Sequence, residues 1–321
     1  MRVVSYIPMK SQKIDTVFLD RATLGPSDLS PLEKLVGSLK TYEITDEEDV
    51  ASRIRNAEVV ITNKVKLNGK NLLKAKRLKL ICLAATGTDN VDLDYCREAG
   101  ILVKNVSAYS TTSVAQHTLN LLLSYVHNNH YFYHYTSSKE WCRSPIFTHL
   151  EKTFFEINNQ SWGIIGLGAI GQKTASLAEA FGAYISYFTF SERESEYTKM
   201  SLDSLLASSK IISIHCKYTK DSHHLLNRNN LKYCEHKPII INVARGATVD
   251  EYAMAEALRS GRVEAYLTDV LSQEPPAEDH PLLAEDLRDR VIMTPHIAWA
   301  SEQARIRLLN GIINNIKEAI C

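Results

Sequence analysis

Residues 161–182 read SWGIIGLGAIGQKTASLAEAFG. The apolar run Trp162–Ile165 has the character of a buried strand, and Ile170, Thr174, Leu177, Ala178 and Phe181 then recur at helical spacing until Gly182 stops the pattern. Between the two lies Gly166-Leu-Gly168-Ala-Ile-Gly171. The first glycine permits a tight turn, the second lets the backbone approach a pyrophosphate, and the third lets the helix pack close to the strand. Helix N-terminal N–H groups then face the phosphates. A second apolar run, Ala183–Phe190, follows the helix and completes a strand–helix–strand unit. In that setting Gly166, Gly168, Ala169, Ile170 and Gly171 are candidate contacts for a dinucleotide.

The rest of the composition bounds the class. At 321 residues the chain is long enough for two domains, because single cores stop growing at about 250–300 residues. Thirty-seven basic residues balance thirty-seven acidic ones, so no field of one sign draws the protein to nucleic acid or an anionic membrane. Small-molecule chemistry is the expectation. Six scattered cysteines show no CxxC spacing for zinc or redox work. The N-terminus MRVVSYIPMK lacks the apolar core of a signal peptide, and no apolar run approaches membrane-spanning length. A cytoplasmic protein is expected.

Upstream of the glycine stretch, from Asp15, short apolar runs (TVFLD, KTYEIT, EVVITN, LKLICLAA, ILVKNV) alternate with helical patterns (DVASRIRNA, NLLKAK, DYCREAG, STTSVAQHTLNLLLSYV). That alternation argues a parallel α/β sheet. The segment before Asp15 reads as a short extra strand or an arm. Between His127 and Gln160 the alternation lapses into an aromatic and His-rich stretch. His127, His130 and His134 could share a helical face as metal ligands, but no carboxylate or cysteine nearby completes a set. An aromatic surface is the better reading and no metal is expected. Downstream, a second series runs through IISIHC, PIIINVA, VEAYLTDV and VIMTPHI, and Ser301–Ile320 repeats Ile306, Leu309, Ile312, Ile313, Ile316 and Ile320 on one helical face.

A dinucleotide fold that starts some 160 residues into a chain of similar pattern implies insertion. We expect an α/β protein in which a Rossmann-type cofactor domain, 109–296, interrupts a flavodoxin-like substrate domain made of 1–108 plus 297–321. Two crossings between such domains make a hinge, which suits a cleft that closes on substrate.

Three polar groups fall at the ends of strands of the second series, and strand ends face the ligand crevice of a doubly wound sheet. Arg245, in NVARGATVD, follows a buried run and precedes a glycine. Its guanidinium can hold a carboxylate bidentately, or more blandly tie loop carbonyls. His296 ends VIMTPH and can exchange a proton with a carbonyl or hydroxyl oxygen. Glu274, in TDVLSQEPP, is the partner that would orient its ring and favour the imidazolium. Asp269 stands five residues earlier, where it could accept from a carboxamide or position the arginine.

Taken in order and spacing, GLGAIG, NVARGATVD, TDVLSQEPP and TPHIAWAS resemble the D-isomer-specific 2-hydroxyacid dehydrogenases over most of the chain. LAATGTDNVD and PHIAWAS look most like the glycerate dehydrogenases, also called hydroxypyruvate reductases. The resemblance implies that Arg245 anchors a 2-oxo acid, His296 is the acid/base, Glu274 tunes it, and Asp269 contacts the nicotinamide side. It further implies that Ala85, Thr86 and Gly87 offer backbone N–H groups to the substrate carboxylate. His215, Cys216, Thr219, Val243, Ala244, Val114 and Gln116 match positions lining the cofactor or the cleft. Family members are typically homodimers joined through the cofactor domain, which would give the aromatic stretch a use. The expected reaction moves a hydride between NAD(P)H and a 2-oxo acid, hydroxypyruvate/D-glycerate or glyoxylate/glycolate.

Two positions depart from the family pattern. About twenty residues past the glycines, where NAD enzymes carry an acid for the ribose 2′-hydroxyl, YFTFSERE places Thr189, followed by Ser191, Glu192 and Arg193. Loss of the carboxylate removes repulsion against a 2′-phosphate, and Arg193 could pair with one. The cofactor expected is therefore NAD or NADP with a lean to NADP, although Glu192 could still serve NAD. Lys217 stands where the family usually has proline. Two other readings share the motifs: a cofactor-sensing corepressor-like binding protein, and a formate or phosphonate dehydrogenase.

Overall fold

Runs such as Val59–Thr62, Ile211–Ile214 and Ile239–Asn242 are buried at every residue, the pattern of strands covered on both faces in parallel sheets. The computed structural model describes residues 13–192 and 194–320. The proposed arm before Asp15 falls largely outside the described residues, as do Arg193 and Cys321. The chain divides into two compact units, one from its N-terminal part up to Ser110 joined by Ala300 onward, the other Thr111–Trp299.

In the first unit, strands β1 (Ile14–Phe18), β2 (Gly37–Thr41), β3 (Val59–Thr62), β4 (Leu80–Leu83) and β5 (Leu102–Lys104) pair in the order β2-β1-β3-β4-β5, all parallel. This is the flavodoxin-like order. Helices α1 (Ser30–Val36), α2 (Glu47–Ile54), α3 (Gly69–Leu72) and α4 (Leu93–Glu98) connect the strands. The strand expected at KTYEIT instead begins at Gly37, which closes α1 in a left-handed conformation and leads directly into β2.

The second unit starts with α5 (Thr111–Val126) and α6 (Asn129–Ser137), so the aromatic stretch where the alternation lapses opens with a helix. Strands β6 (Ser161–Ile165), β7 (Tyr184–Phe188), β8 (Thr198–Lys199), β9 (Ile211–Ile214), β10 (Ile239–Asn242), β11 (Ala265–Thr268) and β12 (Val291–Met293) form one parallel sheet in the order β12-β11-β10-β9-β6-β7-β8. The chain starts mid-sheet at β6, runs outward to β8 and returns to β9. The strand order reverses between β6 and β9, and a doubly wound sheet binds ligands outside the carboxyl ends at that switch point. Helices α7 (Ala169–Ala180), α8 (Leu202–Ser208), α9 (Arg228–Leu231) and α10 (Glu251–Arg259) complete the unit. One apolar core joins α5 and α7 to the sheet through Val114, Leu121, Trp162, Ala175 and Ile241; a second gathers Leu205, Ile212, Ile240, Met254 and Tyr266.

The final helix, α11 (Glu302–Ile320), returns to the first unit and packs on β4 and α1. Asn315 Nδ2 donates to the Asn105 carbonyl at 3.0 Å and Arg307 Nε to that of Tyr109 at 2.7 Å. Its buried face is Ala304, Leu308, Leu309, Ile312, Ile313 and Ile316. Ile306, expected on that face, is exposed, because six residues before Ile312 at about 100° each place it about 120° around the helix. Among the described residues no helix is long and apolar enough to cross a membrane.

Candidate active site

At the switch point β6 runs into Gly166, whose φ of +92° is open to glycine and rarely to other residues. A Cβ there would lie 2.5 Å from the backbone N of Cys216, so the turn packs directly on the chain leaving β9. A Cβ on Gly171 would lie 2.1 Å from the Gly166 carbonyl oxygen, which is why the helix can sit so close to the turn. Gly168 behaves oppositely. A Cβ there would meet nothing within 4 Å, and as N-cap of α7 it leaves the first-turn N–H groups without a side-chain acceptor. Closely packed glycines flanking an open one, at an uncapped helix N-terminus, fit a dinucleotide pyrophosphate.

Around this cradle, His215 N donates to the Ile165 carbonyl at 2.7 Å, which ties the end of β9 to the end of β6. Trp162 Nε1 donates to Ser213 Oγ at 2.9 Å, and Ser213 Oγ lies 2.9 Å from His215 Nε2. Burial pushes the His215 imidazole down to about 3, so the ring is neutral, and its buried Nδ1 has no protein partner. Burial likewise pushes the Cys216 thiol up to about 11. Thr219 is engaged in a turn, its N–H donating to Ser222 Oγ at 2.7 Å. Val114 is buried in the apolar core and Gln116 is exposed on α5. Thr189 lies one residue past the end of β7 and Ser191 is exposed. Glu192 is bound by Lys199 Nζ at 2.9 Å to both carboxylate oxygens.

The other side of the crevice is built by side chains. Buried Asn242, last residue of β10, donates to the Arg245 carbonyl at 3.0 Å and accepts from Ala244 N at 3.0 Å, which shapes the turn Val243–Arg245. Thr248 Oγ1 donates to the same Arg245 carbonyl at 2.7 Å, and Arg245 Nη1 to the Ala244 carbonyl at 2.9 Å. That last bond ties a loop carbonyl through Nη1 of the guanidinium. A Cβ on Gly246 would fall 1.9 Å from the carbonyl carbon of Leu271, so the arginine turn packs on the segment that leads to Glu274.

His296 and Glu274 meet, with Nδ1 to Oε2 at 2.6 Å, while Glu274 Oε1 accepts from Leu271 N at 3.0 Å. Asp269 is buried, and its carboxylate accepts from Thr294 Oγ1 at 2.6 Å, Ile297 N at 2.9 Å and Ala298 N at 2.8 Å. The structure thus places Asp269 under the His296 loop, a position with neither a carboxamide nor the arginine among these three partners. Ala85, Thr86 and Gly87 belong to the other unit, just after β4, where Val106 N donates to the Ala85 carbonyl at 3.1 Å and Asn105 Nδ2 to that of Thr86 at 2.6 Å.

Residues 119–298 match the family model of the D-isomer specific 2-hydroxyacid dehydrogenase NAD binding domain. The chain belongs to this family. It is 34% identical to the hydroxypyruvate reductase of Blautia hydrogenotrophica, over 94% of this chain and 95% of that one. Among solved structures it resembles D-lactate dehydrogenase from Aquifex aeolicus complexed with NAD and lactic acid, with TM-score 0.81 and 30% identity over 94% of each chain. It also resembles an NADPH-dependent glyoxylate/hydroxypyruvate reductase from Sinorhizobium meliloti in complex with NADP and malonate, with TM-score 0.80 and 25% identity over 94% of this chain and 92% of that one. This 2-hydroxyacid dehydrogenase is therefore an NAD(P)-dependent oxidoreductase acting on CH–OH donors.

Two groups of this dehydrogenase escaped sequence reading. His117 of α5 lies 2.9 Å from Thr294 Oγ1; its only signal was a histidine among the apolar positions of STTSVAQHTLNLLL. Buried Glu251 accepts from Ser272 N at 2.8 Å, also bonds Ser272 Oγ, and meets His280 Nε2 at 3.0 Å. It thereby clasps both ends of the segment carrying Glu274. Nothing in a linear pattern pairs positions 251, 272 and 280. Among the described residues no cluster of His, Cys, Asp and Glu could hold a metal ion.

Proposed function

We propose that this protein reduces a short 2-oxo acid, hydroxypyruvate to D-glycerate or glyoxylate to glycolate, with NADPH preferred over NADH. The observation that carries the reading is the His296–Glu274 contact at 2.6 Å, in the unit that carries the glycine cradle. Gly166–Gly171 would hold the dinucleotide, which would supply the hydride. Arg245 binds the substrate carboxylate and turns the adjacent carbonyl toward His296. Glu274 engages Nδ1, which leaves Nε2 as the nitrogen that gives its proton to the carbonyl oxygen, and the carboxylate offsets the charge of the protonated ring. In the reverse direction His296 takes the proton from the hydroxyl.

The preference for NADPH rests on charge. Thr189 offers no carboxylate to repel a 2′-phosphate, and Glu192 is neutralised by Lys199. The protein works as a homodimer, because Tyr133, Trp141, Ile146, Phe147 and Leu150 expose large apolar surface along and after α6. Its compartment is the reducing cytoplasm, since all five described cysteines are free thiols and Cys82, Cys96 and Cys234 are buried as small apolar groups.

Steady-state oxidation of NADPH and NADH with hydroxypyruvate and glyoxylate tests the reading. We expect turnover with both acids and a higher kcat/KM with NADPH. Absence of turnover with every short 2-oxo acid would leave the chain as a cofactor-binding protein, and turnover of formate or phosphite alone would replace the substrate class.

A further inference from the structure

His296 has φ of +55°, a left-handed conformation uncommon outside glycine that persists where the surroundings over-determine it. The surroundings here are specific. His296 N donates to the backbone carbonyl of Asp269 at 2.9 Å, while the Asp269 carboxylate takes the N–H groups of the next two residues, Ile297 and Ala298. The Trp299 indole closes the other side, donating to the His296 carbonyl at 3.0 Å. Thr294, two residues before His296, donates its hydroxyl hydrogen to Asp269 at 2.6 Å. Its oxygen is then the acceptor toward His117 Nε2 at 2.9 Å, which makes Nε2 the protonated nitrogen of His117. Burial lowers the His117 pKa against the opposing pull of the Asp269 carboxylate, whose Oδ1 lies 3.6 Å from Nε2, and the chain of donors needs only the Nε2–H.

We propose that His117, Thr294 and Asp269 form a positioning network that holds the His296 loop in its left-handed turn, so that the imidazole is aimed with Nδ1 on Glu274. His117 anchors the network to α5, a helix packed on β10, β11 and α7 in the core of the unit. The rigid part of the fold is thereby coupled to the orientation of one imidazole. The proposal rests on the reading of His296 as the acid/base.

The test uses the full-length protein and two pairs of variants. Thr294→Val removes the hydroxyl at nearly constant volume and Thr294→Ser restores it. His117→Leu removes the ring N–H and His117→Gln supplies an amide N–H at a similar distance along the side chain. Loss of aim predicts a kcat lower by roughly 10–100-fold in Thr294→Val and His117→Leu, with little change in cofactor Kd, and recovery of most of kcat in Thr294→Ser and His117→Gln. The double variant Thr294→Val/His117→Leu should be no slower than the slower single, since the residues act as one chain. Amide hydrogen exchange at Ile297 and Ala298 should accelerate in the two disruptive variants while thermal melting still shows a cooperative fold. Unchanged kcat, unchanged exchange at those amides, or failure of Thr294→Ser to recover would overturn the network. Wild-type protein inactive on every 2-oxo acid would sink the acid/base reading and the catalytic purpose of the network together, and the exchange data would still report whether the three residues hold the loop.

Discussion

The two sides of the crevice are made by different means. The cofactor side is a backbone object, in which six consecutive residues, Gly166–Gly171, set a turn, a close approach and an open helix end, with clearances of 2.1 to 2.5 Å deciding where a side chain is forbidden. The acid/base side is a side-chain object. His117, Arg245, Asp269, Glu274, Thr294 and His296 come from distant positions and are held by hydrogen bonds of 2.6 to 2.9 Å. A cradle of the first kind fails when an atom is added, and a network of the second kind fails when a donor or acceptor is removed.

The largest effect should come from removing the proposed proton donor. His296→Ala is expected to lower kcat by roughly 10²–10⁴-fold while the dinucleotide still binds, as measured by steady-state kinetics and by cofactor fluorescence. Parallel loss of cofactor binding would mean that the two sides are one object and would break the contrast. Gly171→Ala should give the opposite signature. Its Cβ cannot lie 2.1 Å from the Gly166 oxygen, so the helix must move off the turn; overpacking of this kind costs about 1–3 kcal/mol. We expect cofactor affinity to weaken by roughly 5–150-fold at that cost, with kcat at saturating cofactor much less affected.

The contrast also explains how much of the molecule is legible in its sequence. The glycine cradle is local in sequence: Gly166 makes the tight turn and Gly171 the close helix packing that their spacing implies. Strand runs such as IISI and PIIIN were legible because full burial requires continuous apolarity. Glu274 and His296 were readable as candidates from their places near strand ends, yet their 2.6 Å contact depends on folding across twenty-two positions. His117 and Glu251 were missed because their meaning lies wholly in partners brought from elsewhere: Thr294 for one, Ser272 and His280 for the other. The helix that opens the aromatic stretch buries none of its residues, so no core-facing periodicity marks its bounds in the sequence.

A smaller effect should separate charge from shape on the cofactor side. Thr189→Asp places a carboxylate beside the end of β7 without touching a glycine. It should change the ratio of kcat/KM for NADPH to that for NADH toward NADH by about tenfold, equivalent to about 1.4 kcal/mol. An unchanged ratio would mean that Thr189 does not face the 2′ position and that any cofactor preference must be sought elsewhere.

The smallest effect concerns His215, the titratable side chain that follows β9 on the cofactor side. Its folded pKa of about 3 lies below the ordinary imidazole value of about 6.5. Between these two values the unfolded chain takes up a proton that the folded chain refuses, so stability rises with pH across the window and falls on acidification through it. His215→Gln removes that proton while leaving a group able to bond Ser213. Denaturant titrations at pH 7 and pH 5 should show the wild type losing on the order of 1 kcal/mol more than the variant over that interval, reported by the Trp162 indole that shares the Ser213 hydroxyl. The acid limb of turnover should not follow the same change if, as proposed, His296 carries the chemistry and His215 only stabilises the cradle. If His215→Gln moved the pH profile of kcat as well, the cradle and the acid/base network would be electrostatically linked through the end of β9, and the division between a backbone side and a side-chain side would have to be given up.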